Sequence, residues 1–236
     1  MKIVGARAAA QAAGMSLRIV VTCGPSYEPI DEVRRITNFS TGKLGTRLSE
    51  RFAAEGHRVE CLRGEMATWP AAGSPVQVIP FSTNDHLLSR MEALAERDTV
   101  NAVLHAAALA DFTVQRDSTQ RKLCSRSGEL TLTLIPATKL ISRLRGLFPK
   151  AKIAGWKYEL DGTRETVLAR GLAQITSNQT DASILNGAAY GPGFGALLPD
   201  GTCTPLRGSE ALGEWLLNWI KTPVTVGTAS GSSAKS

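Results

Sequence analysis

Ile19–Gly45 reads IVVTCGPSYEPIDEVRRITNFSTGKLG, and this stretch decides the fold that we predict for the chain. It opens with three β-branched residues, which are typical of a strand buried on both faces. Gly24 and Ser26 follow in a turn, and a helical pattern begins after Gly42. Glycine and hydroxyl residues between a strand and a helix N-terminus offer backbone N–H groups to an anion. With three basic residues nearby, the stretch predicts a site for phosphorylated ligands: Arg34, Arg35 and Lys43.

Outward from this stretch, apolar strand patterns alternate with amphipathic helix patterns. The predicted strands are Leu17–Thr22, Arg58–Leu62, Val76–Pro80, Val100–Ala106, Lys152–Trp156 and Ala182–Leu185. The predicted helices are Gly45–Glu55, Asn84–Glu96, Lys139–Leu147, Arg164–Ile175 and Ser209–Ile220. The order predicts an α/β fold, a Rossmann-like, doubly wound and mostly parallel sheet with helices on both faces. Leu130–Ile135 alternates as a strand with one wetter face does, and Leu197–Leu206 reads as a hairpin, a small appendage to the sheet.

Length and composition favour one globular domain. Of the 236 residues, we assign 16–222 to the domain, 1–15 to an N-terminal extension, and 223–236 to a Gly/Ser/Ala-rich tail that we expect to be disordered. The net charge of +6 fits either acidic ligands or an ordinary solvated basic surface. Scattered basic residues and 6% aromatic content argue against nucleic acid as a partner. No apolar run approaches the ~20 residues of a membrane span.

The cysteines and histidines do not form a metal-binding pattern. Cys23, Cys61, Cys124 and Cys203 are far apart without a C-x-x-C pair, so zinc is not expected and reduced thiols in a cytoplasm are the default. We expect His57 and His86 to cap or decorate helices. His105 ends a predicted strand, where it is either an ordinary strand residue or faces the site.

Two phosphate-binding motifs fail on inspection. Gly42-Lys43 lacks the preceding glycine of a P-loop, because Thr37 occupies that position, and Leu44 replaces the Ser or Thr. Gly191–Ala196 matches G-x-G-x-x-A in letters, but it holds a proline and leads into the hairpin rather than a helix. An NAD- or flavin-dependent oxidoreductase is therefore a distant alternative.

Several single residues admit two interpretations from their chemistry. Asp111 follows an apolar strand, where carboxylates hold ribose hydroxyls or Mg²⁺. Arg34 is either a surface arginine or a planar donor fork for phosphate or carboxylate. Asn38 reads as a turn residue and Lys122 as a solvated residue of an expected mobile loop between Asp111 and Ser127. Trp156 is either core or a platform for a nucleobase.

Three segments carry a family resemblance. EPIDEVR with Asn38-Phe39-Ser40-Thr41-Gly42-Lys43-Leu44-Gly45 resembles the signature of phosphopantothenoylcysteine synthetase, the phosphopantothenate–cysteine ligase family. His105–Phe112, an alanine-rich segment ending in Ala-Asp-aromatic, is similar to a second family block, and Lys122–Ser125 with Gly128–Leu132 to a third. The similarity extends more loosely to about Leu217. No flavin-decarboxylase half is seen, so the resemblance implies a stand-alone synthetase.

The resemblance implies a two-step ligase of coenzyme A biosynthesis. The carboxylate of 4′-phosphopantothenate attacks the α-phosphate of a nucleoside triphosphate with Mg²⁺, giving an acyl nucleotidylate and pyrophosphate. The amine of cysteine then displaces the nucleotide and forms an amide. It also implies a homodimer, whose interface we expect the Leu130–Ile135 strand and the hairpin Leu197–Leu206 to supply.

The resemblance also implies roles for individual residues. Catalytic roles fall to three residues: Asn38, which holds the acyl group, Lys122 and Arg34. Nucleotide binding falls to Gly24, Ser26, Ala107, Asp111, Lys139, Trp156 and Arg170. Binding of the acid substrate falls to Arg34, Asn38, Ser40, Thr41, Gly42, Lys43, Ala107 and Asn186. No metal ligand is assigned.

The chain departs from the family pattern where the triphosphate binds. Family members that use CTP carry two lysines in the region 170–181, and here Arg170 is the counterpart, with Gln174 and Asn178 at the later positions. The loop at Lys122 looks more like the branch associated with ATP. The choice between CTP and ATP stays open, as do two rivals: a same-fold ligase for another phosphorylated acid, and a non-catalytic binding protein for such an acid or a nucleotide.

Overall fold

A single eight-stranded sheet organises the chain. The computed structural model describes residues 16–97, 99–115, 121–123 and 128–222. All strands are numbered in chain order. The strands of the central sheet are β1 (Arg18–Cys23), β4 (Arg58–Gly64), β5 (Gln77–Phe81), β6 (Ala102–His105), β9 (Lys152–Tyr158), β10 (Ala182–Asn186), β11 (Phe194–Leu197) and β12 (Cys203–Leu206). The strands of two short ribbons are β2 (Tyr27–Pro29), β3 (Arg35–Thr37), β7 (Phe112–Val114) and β8 (Leu134–Pro136).

The spatial order of the sheet is β12-β11-β10-β9-β6-β1-β4-β5. Six of its strands run parallel to one another: β1, β4, β5, β6, β9 and β10. β11 pairs antiparallel with β10, and β12 pairs antiparallel with β11. The chain runs outward from β1 through β4 and β5, then returns to the other side of β1 with β6. The order therefore reverses between β1 and β6, where the carboxyl ends of parallel strands open a crevice for ligands. The predicted doubly wound fold is confirmed.

Helices cover both faces of the sheet. They are α1 (Lys43–Ala54), α2 (Asn84–Ala95), α3 (Leu144–Leu147), α4 (Arg164–Asn178) and α5 (Ser209–Lys221), and a 3₁₀ turn at Leu140–Arg143 precedes α3. Val21 belongs to the core beneath α1 and α5, whereas its neighbour Val20 belongs to the core beneath α2 and α3. Adjacent residues of β1 thus face opposite cores, because side chains alternate along a strand.

The predicted hairpin forms, but it is not a separate appendage. Strands β11 and β12 pair with each other and β11 pairs with β10, so the hairpin extends the central sheet at one edge. Its turn lies at Pro199–Gly201, within the predicted range Leu197–Leu206. The predicted dimer interface at this hairpin is therefore a sheet edge rather than a projecting arm.

Two short ribbons stand apart from the central sheet. β2 pairs with β3, in a stretch for which no strand was predicted. β7 pairs with β8, and the predicted strand Leu130–Ile135 is wrong in its bounds, since regular pairing covers Leu134–Pro136. Phe112, Leu134 and Ile135 of this ribbon are exposed. The predicted extension, the predicted tail and parts of the loop between Asp111 and Ser127 lie outside the described residues.

Local signals explain where the longer helices begin. The Thr83 side chain accepts a hydrogen bond from the His86 backbone at the start of α2, and Thr163 and Thr166 form a capping box at the start of α4. His86 accepts from Ser82 through Nδ1 and thus decorates the helix as predicted. No helix within the described ranges is long and apolar enough to cross a bilayer.

Candidate functional site

The turn after β1 lies against the start of α1. Gly24 has φ 75° and Gly42 has φ 77°, a left-handed conformation that glycine adopts without strain. A Cβ at either position would approach the Ala67 side chain, at 2.7 Å and 3.0 Å respectively. The Ser26 hydroxyl already accepts the Ala110 backbone N–H at 2.9 Å. Ser26 therefore fastens two loops together, and its nucleotide-binding role stays a prediction.

The predicted substrate segment Ser40–Lys43 forms the entry to α1. The Trp69 backbone N–H donates to the Thr41 carbonyl at 2.9 Å, and the Lys43 ammonium lies 4.5 Å from the centre of the Trp69 ring. Cation–π contacts of this kind hold an exposed ammonium in place. Ser40, Thr41, Gly42 and Lys43 are thus gathered at one helix end, and their binding role stays a prediction.

Asn38 joins two motifs that are remote in sequence. Its Nδ2 donates to the Leu109 carbonyl at 2.9 Å and more weakly to the Ala108 carbonyl at 3.4 Å. The side chain is exposed, so its carboxamide oxygen is open to solvent or ligand. Through this side chain the loop before α1 contacts the loop after β6.

Arg34 is engaged within the protein rather than free for a ligand. Its Nη2 donates to the Leu123 carbonyl at 2.7 Å, and its Nε donates to Asp31 at 3.0 Å. The Leu123 backbone N–H in turn donates to the Asp31 carboxylate at 3.1 Å. This cluster, which we call the Asp31 latch, holds the segment on both sides of Lys122, with an Arg121–Glu32 ion pair beside it at 2.8 Å. The substrate role of Arg34 stays a prediction, and it would have to use the same guanidinium that bonds Asp31 and Leu123 in the latch.

The Asp31 carboxylate is the acceptor at the centre of the latch. Loss of hydration raises its pKa, but hydrogen bonds from Arg34 and from the Val33, Arg34 and Leu123 backbone N–H groups outweigh that effect. The net result is a pKa well below the usual range, so Asp31 is ionised at neutral pH. Lys122 itself is exposed at the surface of the latched segment.

A cleft of about 510 Å³ opens at the carboxyl ends of β6 and β9. The loop after β6, the 3₁₀ turn and α4 form its walls. Five predicted nucleotide-binding residues line it: Ala107, Asp111, Lys139, Trp156 and Arg170. Gly24 and Ser26 are not among the lining residues. The cleft volume suits a nucleotide-sized ligand.

Positive charge in the cleft is partly neutralised by Glu159. Lys157, a lining residue that was not predicted from the sequence, lies 3.1 Å from the Glu159 carboxylate, and Arg170 forms a second ion pair with this carboxylate. Desolvation raises the pKa of Glu159, whereas the hydrogen bonds and charges of Lys157 and Arg170 lower it, and the net shift is downward. Lys139 also lines the cleft, and it forms no ion pair with a carboxylate of the described residues.

One face of α4 carries the positions at which the family pattern places lysines. Arg170, Gln174 and Asn178 are spaced by four residues and all line the cleft. Gln174 donates to the Trp156 carbonyl at 3.2 Å and accepts from the Ser183 hydroxyl at 2.8 Å. The Gln174 amide therefore joins α4 to β9 and β10, and Arg170 is the positively charged residue among these three positions.

The side chains of Trp156 and Asn186 project to the face of the sheet opposite α4, whereas the Trp156 backbone carbonyl accepts from Gln174 on the cleft side. Ala154 and Ile184, two residues before each, belong to the core beneath α1 and α5, and strand alternation puts Trp156 and Asn186 on that side as well. Trp156 packs against this core, which favours the core interpretation. The Trp156 Nε1 and the Asn186 Oδ1 are buried without a hydrogen-bond partner in the described part of the chain. A ligand that reached this side would find one donor and one acceptor.

The described residues hold no cluster of three or more His, Cys, Asp or Glu side chains suited to a metal ion. A magnesium ion that arrives with a triphosphate needs only one or two protein carboxylates, since phosphate oxygens and water complete its shell. Asp111, exposed at the cleft, is a carboxylate placed to serve in this way.

Comparisons with known proteins agree with the motifs. A model of the family described as "DNA/pantothenate metabolism flavoprotein C-terminal domain" matches residues 15–199. The chain is 29% identical over 170 residues to the coenzyme A biosynthesis bifunctional protein CoaBC of Thermococcus kodakarensis, covering 72% of this chain and 41% of the relative. It is 30% identical over 177 residues to the CoaBC protein of Bacillus subtilis, covering 73% of this chain and 42% of that protein. The chain thus spans less than half the length of these relatives.

One further relative has another named activity, and two solved structures share the fold. A cysteine/cysteine sulfinic acid decarboxylase from an unknown prokaryotic organism is 30% identical over 180 residues, covering 75% of this chain and 48% of that protein. The DNA/pantothenate metabolism flavoprotein from Streptococcus pneumoniae superposes with a TM-score of 0.75 at 24% identity, covering 87% of this chain and 98% of the other. A Cab2 variant complexed with phosphopantothenate-cysteine superposes with a TM-score of 0.70 at 18% identity, covering 86% of this chain and 85% of the other. The chain belongs to the family of the DNA/pantothenate metabolism flavoprotein C-terminal domain.

Proposed function

We propose that this protein joins 4′-phosphopantothenate to cysteine through an acyl nucleotidylate, with consumption of a nucleoside triphosphate. The observation that carries the proposal is the Asn38 contact with Leu109, because it brings the first two motif blocks together beside the cleft. Names of the relatives support the same pathway, coenzyme A biosynthesis. The family, rather than the cleft alone, supports the choice of acid and amine.

The first chemical step brings a carboxylate against an anionic phosphate. Catalysis then requires positive charges and N–H donors that offset the repulsion between the two anions, and it does not require a protein nucleophile. Lys139 and Arg170 supply positive charge in the cleft, and Lys122 adds a third cation on the latched segment. Asn38 can hold the activated acyl group through its carboxamide while the amine of cysteine attacks. The amide then forms as the nucleoside monophosphate leaves.

Mg²⁺ fits this chemistry as a companion of the triphosphate. When bound, it neutralises phosphate charge and makes pyrophosphate a better leaving group. Asp111 would hold it from the protein side. CTP and ATP are both candidates for the nucleotide. We further propose a cytoplasmic homodimer, with the exposed apolar ribbon β7–β8 within its interface, and light scattering that gives a monomeric mass would contradict the dimer.

Turnover assays test the proposal. Pyrophosphate release is measured with CTP and with ATP, each with 4′-phosphopantothenate and Mg²⁺, in the presence and absence of cysteine, and the amide product is identified by mass spectrometry. We expect cysteine-dependent turnover with one nucleotide. Lys122→Gln should turn over more slowly, since it removes a charge needed most in the transition state.

A second candidate is a same-fold ligase or a binding protein for another phosphorylated acid or nucleotide. The ion pairs of Glu159 with Lys157 and Arg170 favour it, because they reduce the positive charge available to a triphosphate. Tight binding of nucleotide or acid without pyrophosphate release would support the binding protein. Pyrophosphate release only with a different phosphorylated acid would support the other ligase.

A further inference from the structure

His105 is a buried polar side chain at the floor of the cleft, and none of the roles above uses it. It is 7% exposed and lines the cleft at the end of β6. In the sheet it lies between Thr22 of β1 and Gly155 of β9. A Cβ at Gly155 would meet Ile141 and Gln174, two cleft-lining residues, so this row of the sheet faces the cleft.

The hydrogen bonds around Thr22 assign the tautomer of His105. The Thr22 Oγ1 accepts the Ala107 backbone N–H at 3.1 Å and lies 3.0 Å from the His105 Nδ1. The Thr22 hydroxyl has one proton and no other acceptor among the described residues, so donation to Nδ1 satisfies both groups. Nδ1 is then an acceptor, and the ring proton of the neutral imidazole resides on Nε2.

Nε2 is the ring nitrogen left for a ligand. Within the part of the chain that the structure describes, it has no hydrogen-bond partner. It is not one of the enclosed side-chain atoms that lack a partner, so it opens to the cleft, where water can pair with it. A ligand acceptor in the cleft would satisfy it.

We propose that the Nε2–H of His105 donates a hydrogen bond to an uncharged acceptor on the nucleoside part of a nucleoside triphosphate bound in the cleft. The inference rests on the proposed function and adds a residue that selects the nucleotide. The acceptor is a carbonyl oxygen or ring nitrogen of the base, or a sugar oxygen.

The surroundings of His105 favour the nucleoside over the phosphates. Burial lowers the pKa of His105 to about 4, so the ring is neutral at physiological pH and offers no charge to a phosphate. Charged side chains that line the same cleft come from each of its walls: Asp111, Lys139, Lys157 and Arg170. The cations suit the triphosphate, whereas the neutral donor among Ala107, Leu140 and Ile141 suits an uncharged group.

Two substitutions separate the two nitrogens. In His105→Asn the amide replaces Nδ1, so the contact with Thr22 can persist while the cleft donor is lost. In His105→Gln the longer amide reaches the position of Nε2 and can keep the cleft donor. Dissociation constants of CTP, ATP and 4′-phosphopantothenate are measured separately by calorimetry for the wild type and both variants. We expect His105→Asn to weaken the preferred nucleotide by about 2- to 10-fold, the range of one neutral hydrogen bond, and His105→Gln to weaken it less.

The tautomer is read directly by nitrogen NMR. Long-range ¹H–¹⁵N correlation of the ring of His105 in ligand-free protein should show protonation at Nε2, and the Nε2–H signal should shift when nucleotide is added. Thr22→Ser should keep this tautomer, whereas Thr22→Val, which has the shape of threonine without its hydroxyl, should lose the preference. The spectrum also reports whether each variant is folded.

Each result decides the inference. Protonation at Nδ1 in the wild type, or equal nucleotide affinity in all three proteins, would overturn it while leaving the proposed function intact. Weakened binding of 4′-phosphopantothenate with unchanged nucleotide binding would also overturn it, because the donor would then serve the acid. A folded wild type that binds neither nucleotide would refute the proposed function together with the inference.

Discussion

Replacement of Glu159 by Gln should strengthen nucleoside triphosphate binding. The Glu159 carboxylate, 14% exposed, pairs with Lys157 at 3.1 Å and with Arg170, and both cations line the cleft. Glutamine keeps the size of the side chain but removes its negative charge. Both cations would then act on the phosphates without competition from the Glu159 carboxylate.

The expected gain follows from Coulomb's law. Two unit charges about 8 Å apart interact by roughly 2 kcal/mol at an effective dielectric constant of about 20. Arg170 is 51% exposed, so solvent screening reduces the effect. We take about 1 kcal/mol for removal of one anion near the triphosphate, which is a roughly 5-fold lower dissociation constant.

Calorimetry with CTP and ATP at low and high salt measures the effect. Arg170→Gln is the matched control of opposite sign, and its dissociation constant should rise by a similar factor. Both differences should shrink as salt rises, because the Debye length falls. A Glu159→Gln protein that binds triphosphate no more tightly than the wild type would refute the placement of the phosphates beside these cations.

Three further predictions concern the other parts of the site. Asn38→Asp should reduce amide formation by about 100-fold or more, because its carboxylate would face two main-chain carbonyls and repel the acyl intermediate; product mass spectrometry measures this. Asp31→Asn should lower kcat more than it raises the KM for nucleotide, and steady-state kinetics separate the two. The folded-state pKa of Asp31 is depressed, so its contribution to stability is present above pH ~4, the unfolded pKa, and is lost as pH falls. As the pH is lowered below ~4, the Tm of Asp31→Asn should therefore fall less than the Tm of the wild type. Gly64→Ala should lower the free energy of unfolding by about 1–3 kcal/mol in urea, since its Cβ would lie 2.1 Å from the Pro25 carbonyl oxygen, whereas Gly146→Ala, with open space around it, should not.

The central sheet could be predicted because its strands carry their own signals. Ile19, Val20 and Val21 are fully buried, as a continuous β-branched run predicts for a strand between two helical layers. The hairpin at Pro199–Gly201 likewise had local turn chemistry. Such features depend on a few consecutive residues, which a single sequence displays.

The ribbons and the latch depend on distant partners, so the sequence did not indicate them. β2 and β3 are short and polar, and their pairing joins Tyr27 to Thr37 across the Asp31 turn. The sequence singled out Arg34 as a candidate ligand-binding residue, but its bond to Leu123 spans a long stretch of chain that no local pattern reports. A ligand role and a structural role look alike until the partner is known.

In the cleft, too, candidate residues could be named from the sequence, but the residues that they contact could not. The resemblance picked out Asp111, Lys139 and Arg170, and the structure brings them to one cleft. It missed Lys157, a single lysine near the end of a strand, because nothing in its neighbours marks the side chain as facing a cleft. The orientation of His105 likewise required knowledge of Thr22, which lies on a different strand.

Oxygen transfer from the acid to the nucleotide reports the acyl nucleotidylate itself. With 4′-phosphopantothenate labelled with ¹⁸O in its carboxylate, an acyl nucleotidylate must deliver one labelled oxygen to the nucleoside monophosphate as cysteine forms the amide. We expect singly labelled nucleoside monophosphate, unlabelled pyrophosphate and the cysteine amide in equal amounts. Labelled inorganic phosphate with a nucleoside diphosphate, or no amide from folded protein with either CTP or ATP, would contradict it.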